Sequence, residues 1–162
     1  MNSPADSSSS KGSPAVSKNL PGPPFLRHYP AQQLVAWQPQ GTLDDDMLDQ
    51  IAEWLVIIEK VSLPFKRFVD LSQLTMVAVR TRHLFEFARK RAEQLDGVGP
   101  VRTALFSDDW VGFGIALLYE SLMENTAIEA QAFRDRVRAA EWLELGYLPL
   151  SATSFQALLA LP

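Results

Sequence analysis

FKRFVDLSQLTMVAV, residues Phe65 to Val79, joins an apolar run, an Asp-Leu-Ser break and a helix-like pattern in one short segment. The apolar residues from Phe65 to Leu71 are too closely spaced for a half-exposed strand and predict one covered on both faces. Asp70 and Ser72 then fall where a buried strand hands a polar loop to the carboxyl edge of its sheet, the edge at which open α/β sheets bind ligands. A long helix is expected to follow over Met76 to Leu95, stopped by Gly97, Gly99 and Pro100.

The same alternation continues on both sides. Downstream, Val101 to Phe106 reads as a strand, and Ser107 is placed to cap a third helix with Asp108 and Asp109 in its first turn. Val111, Ile115, Leu118 and Leu122 form the buried stripe expected of that helix. Ile128 to Phe133 gives another strand, Asp135 a cap, and Val137, Ala140 and Leu143 the inner face of a last helix. Upstream, FLRHYP from Phe25 and QLVAWQ from Gln33 to Gln38 read as a hairpin turning at Ala31 and Gln32. Gly41 ends that second strand. Thr42, with Asp45 three residues on, predicts a helix from Leu43 whose apolar stripe is Leu43, Met47, Ile51, Trp54, Leu55 and Ile58. Together these elements specify an α/β sandwich with a mixed, mostly parallel sheet of about five strands, entered by an N-terminal hairpin and crossed by helices.

A chain of 162 residues with 47% apolar content builds one domain with a real core. Residues 1–24 are Ser, Pro, Gly and Lys with little to bury, and predict a disordered tail. The domain proper spans 25–145, and 146–162 is an apolar extension whose Phe155, Leu158 and Leu159 have helical spacing. A net charge of −4 and a pI near 5.1 give no overall attraction for nucleic acid or anionic lipid. Without cysteine, thiolate metal sites and cysteine nucleophiles are excluded, and His28 and His83 are too scattered for a zinc cluster. No cofactor or metal is implied. The absence of a run of about eighteen apolar residues, and of a signal-like N-terminus, makes a soluble cytoplasmic protein the expectation.

Five segments, taken in order, resemble the SpoIIAA-like branch of STAS domains, the fold of anti-sigma-factor antagonists. They are LVAWQPQGTLDDD, FKRFVDLSQLT, RTRHLFEFARKRAE, VRTALFSDDWVGFGIALLYESLME and IEAQAFRDRVRAAEWLEL, spread over Phe25 to Leu145. That branch is also similar in part to the CRAL-TRIO lipid-transfer fold, which implies a hydrophobic ligand. In phosphorylated antagonists an Asp-Ser pair follows the Asp-Leu-Ser at the start of the next helix, and its serine accepts phosphate. The matching positions here are Ala78 and Val79, and neither has a hydroxyl. The resemblance therefore implies a regulatory module without the standard phosphoacceptor. Ser72 and Thr75 lie nearby, as residue types that commonly bond a local turn.

The candidate edge for a partner or small ligand comprises Asp70, Ser72, Thr75, Arg80, Ser107, Asp108 and Trp110. On the second helix Arg80 and Arg91 project onto the same face as Leu84, Ala88 and Leu95, so each must reach water, a carboxylate or an anion. Arg80, near the sheet edge, is the candidate anion contact. Arg82 with Glu86, Glu86 with Lys90 and Arg89 with Glu93 have ion-pair spacing, which argues against nucleic acid and leaves membrane-surface association as a minor expectation. The third helix is apolar on a second side at Phe113 and Leu117, and carries Gly112 and Gly114. Either the C-terminal extension folds back over it, or Phe113, Leu117, Phe155 and Leu158 form a dimer interface or the mouth of an apolar site. No histidine or lysine is placed to activate Ser72, and no phosphate-loop pattern is present, so a noncatalytic role is expected. His83 reads as structural. Two functions follow as expectations: a binding or regulatory module meeting a protein partner, or a carrier or sensor of an apolar ligand or lipid.

Overall fold

The computed structural model describes residues 26–61 and 66–146. The expected tail over 1–24 and nearly all of the extension over 146–162, with Phe155 and Leu158, lie outside the described residues, as do Phe25 and Phe65. Strand β1, Leu26–Tyr29, runs through a 3-10 turn at Pro30–Gln32 into β2, Leu34–Trp37, and the two pair antiparallel. Beyond them the sheet continues in parallel with β4 (Lys66–Asp70), β6 (Val101–Phe106) and β7 (Ile128–Phe133), in the order β1-β2-β4-β6-β7. The helices are α1, Asp45–Val61; α2, Thr81–Leu95; α3, Trp110–Leu122; and α4, Arg136–Trp142. This is the mixed, hairpin-entered α/β sandwich expected from the sequence.

Two expected helix starts are strands instead. Gly41–Leu43 forms β3 and Leu74–Val77 forms β5, and they pair parallel in a small second sheet. Each is too short to show a period, and their bonds span some thirty residues, so nothing local announces them. With Thr42 in a strand, the cap of α1 passes to Asp44, whose Oδ1 accepts the Met47 N–H at 2.9 Å. Ser107 does not cap α3 either. Asp109 does, accepting from the Val111 and Gly112 N–H groups at 2.7 and 3.2 Å, while Ser107 is fully buried and donates its hydroxyl to Asp109.

One face of the sheet packs Val35, Trp37, Val69 and Leu105 against Ile51, Leu55 and Ile58 of α1 and Ala116 of α3. The opposite face packs Ala36, Phe68, Ala104 and Phe106 against Ala139, Ala140 and Leu143 at α4. Val137, expected inside, is exposed, because the inward stripe of α4 is Arg136, Ala139, Ala140 and Leu143. The inward stripe of α3 is likewise rotated from the expected one, to Gly112, Ile115, Ala116 and Tyr119. A Cβ on Gly112 would lie 2.5 Å from Ser107 Oγ and 2.8 Å from the Leu71 carbonyl, so glycine lets the helix start press onto the ends of β4 and β6. At the rim, Phe133 gives its carbonyl to Ser107, which turns Ala132 away from β6; its N–H goes to Glu120 Oε2 of α3 at 2.6 Å.

Candidate functional site

At the carboxyl edge, Asp70 ends β4 with no solvent exposure. Its Oδ2 accepts from Gln38 Nε2 at 2.7 Å, at the end of β2, and from the Arg136 guanidinium in the first turn of α4. Its Oδ1 accepts the Ser72 hydroxyl at 2.6 Å and the Ser72 N–H at 3.0 Å. Arg136 is stacked 4.2 Å over the Phe106 ring. Both oxygens of this carboxylate are therefore occupied, and the Ser72 proton points at an anion that is itself neutralised. The group ties β2, β4 and α4 together. None of the described side chains bonded to Asp70 or Ser72 is a histidine or lysine.

The other predicted edge residues are spread out. Ser107 is buried beneath the start of α3, and Asp108 is exposed, with its carbonyl accepting from Arg134. Trp110 is 78% exposed, and the Arg134 guanidinium lies 4.3 Å from its ring and 5.3 Å from that of Phe113. Thr75 is exposed in β5, and that strand leads the chain away toward β3. Arg80 ends up exposed at the start of α2, bonded through its guanidinium and its N–H to Asp45 of α1. Burial would raise the Asp45 carboxyl, but the hydrogen bonds and charge of Arg80 outweigh it and hold the group low. Ala78 and Val79 sit in the turn before α2 rather than within it. Leu117 is exposed, and His83 bonds Asp49 of α1 at 2.9 Å.

A second constellation gathers around Arg91, whose partner the sequence did not name. Arg67 of β4 and Arg91 of α2 are each 1% exposed, and both bind the single carboxylate of Glu59 on α1. Arg91 also donates to Gln94 at 2.6 Å. Two buried guanidiniums thus face one carboxylate. Burial, with Arg91 close by, pulls Arg67 down to about 10 in spite of Glu59. Thr103 stands opposite Arg67 in the β4–β6 register, 2% exposed. Arg67 Nε and Thr103 Oγ1 have no hydrogen-bond partner among the described residues. Both side chains line a cavity of about 60 Å³ between the sheet and helices α1, α2 and α3. Its other walls are apolar, with Trp37, Leu55, Val69, Leu105 and Ile115 among them, and Tyr119, whose phenol burial pushes up, is the remaining polar tip. Phe113 and Leu117 are not among its walls. The available signal was Arg67 itself: an arginine in a strand covered on both faces must be dry.

Among the described residues no three His, Asp or Glu side chains are grouped to hold a metal ion, and no helix is long and apolar enough to cross a membrane.

No protein-family model matches the sequence, and no curated protein matches it. Among solved structures, the chain is similar to an uncharacterized protein of the DUF3478 family from Shewanella loihica PV-4, described as having a SpoIIAA-like fold. The two are 16% identical over 68% of this chain and 83% of that one, with a TM-score of 0.45.

Proposed function

We propose that this chain is a noncatalytic binding or regulatory module that meets a protein partner at the rim formed by Trp110, Arg134 and the outer side of α3. The observation that carries this reading is Trp110, 78% exposed yet held under a guanidinium at 4.3 Å. An indole already fixed in place loses little freedom on docking, and Trp and Arg dominate the energetics of protein interfaces. Val111 and Leu117, each 48% exposed on the same helix, extend the apolar surface. The noncatalytic part is supported by the bonding around Asp70: the Ser72 hydroxyl donates to a carboxylate already held by Gln38 and Arg136, and none of its described partners is a histidine or lysine.

Affinity capture from the native cell tests the reading: a partner held by the wild-type chain is expected to be lost with Trp110→Ala while the circular dichroism spectrum is unchanged. Failure to find a partner that depends on Trp110 overturns it. Hydrolase activity that disappears with Ser72→Ala would overturn the noncatalytic part.

A second reading, a carrier or sensor of an apolar ligand, is favoured by the apolar cavity beneath the helices. Native mass spectrometry of the purified chain is expected to show a copurifying small molecule, and a ligand-free spectrum together with no binding of apolar probes counts against it.

A further inference from the structure

The cavity between the sheet and α1, α2 and α3 holds two features that an apolar ligand alone does not satisfy. Arg67 Nε and Thr103 Oγ1 are donors shut away from water with no partner among the described residues, a state that costs about 1–3 kcal/mol for each such group. The charges beside them are also unbalanced, since among the described residues Arg67 and Arg91 share the one carboxylate of Glu59. An unneutralised charge in a dry site is costlier still. A guest carrying one negative charge and two acceptor oxygens answers both deficits, and the rest of the wall asks that its other end be hydrocarbon.

We infer that the cavity takes a short monocarboxylate, its carboxylate bonded by Arg67 Nε and Thr103 Oγ1 and its alkyl chain lying along the apolar wall. The inference rests on the carrier reading and specifies its ligand. The volume of about 60 Å³ keeps the chain short. Inorganic phosphate fits poorly: it brings more charge than the single excess, and four oxygens where the wall offers few donors. Burial and the neighbouring Arg91 lower the affinity of Arg67 for its proton in spite of Glu59, and a bound carboxylate would favour the charged form.

Calorimetric and NMR titrations of the full chain with butanoate, butan-1-ol and inorganic phosphate at neutral pH test this. Butanoate is expected to bind at least tenfold more tightly than butan-1-ol, with phosphate giving no saturable signal. Arg67→Met and Thr103→Val are each expected to erase most of that preference while leaving alcohol binding in place, and Thr103→Val keeps the test decisive if Arg67→Met does not fold. Equal binding of acid and alcohol overturns the carboxylate site and leaves the carrier reading standing. If neither binds, the cavity holds ordered water alone and both fail. Binding of phosphate in preference to butanoate overturns the proposal in favour of a plain anion site.

Discussion

Glu59 is the residue on which the interior charge depends, because among the described residues it is the carboxylate that pairs with both Arg67 and Arg91. Glu59→Gln leaves two dry guanidiniums with no anion, and is expected to cost about 3–5 kcal/mol in urea unfolding. Arg67→Met leaves Glu59 and Arg91 as a one-to-one pair, and is expected to change stability by less than about 1.5 kcal/mol or to raise it. A Glu59→Gln variant as stable as wild type would show that the three side chains are not the coupled set described. Part of this cluster was legible: the helical projection put Arg91 on the buried face and required a partner for it. Arg80 was placed on that face as well, but β5 takes up the turn that the projection had assigned to helix, and Arg80 meets Asp45 at the surface. Asp70 and Ser72 were read at the right edge, whereas Gln38 and Arg136, which occupy Asp70, come from positions 32 and 66 residues away and left no local sign.

Helix α3 shows how an element's rotation is fixed by its first turn. Asp109 sets where the helix starts, and Gly112 lets it sit against Leu71 and Ser107. Gly112→Ala should therefore destabilise the fold, since the new methyl meets the Leu71 backbone carbonyl, which does not move cheaply. Gly114, with open space where its Cβ would lie, predicts the reverse. Gly114→Ala is expected to stabilise by up to about 1 kcal/mol through helix propensity alone. Thermal melts of the two variants check the pair, and a shift of the same sign in both would contradict the packing described. The apolar content of α3 was plain in the sequence, but the choice among its stripes depended on a contact with β4 that the periodicity does not contain. The strands β2, β4 and β6 were legible through closely spaced apolar residues, and β7 through apolar residues alternating with Glu129 and Gln131; β3 and β5 pair with each other alone among the described residues.

Across the whole molecule, stability should fall in two stages as the solution is acidified. Burial holds His28 of β1 below its usual 6.5, so the unfolded chain takes up that proton first. The contribution of the neutral ring is complete above pH 6.5 and is lost as the pH falls through the folded value. Glu86 and Glu144, held below 4.5 by hydrogen bonds from Arg82 and Arg102, withdraw theirs in a lower range. Urea midpoints measured between pH 7.5 and 5 are expected to decline, and His28→Phe is expected to flatten that decline; an unchanged slope would remove His28 from the account. The hairpin-entered, mostly parallel sheet was legible at this scale because short connections leave few topologies for alternating strands and helices. The bond from Ala132 to Glu120 has a consequence for life at high concentration. An outermost strand with idle amides is a template on which a second molecule zips up, and here a carboxylate is already seated on one of those amides, bringing negative charge to the seam. Glu120→Ala should unmask it, and light scattering of concentrated samples would then register oligomers or fibrils that the parent chain resists.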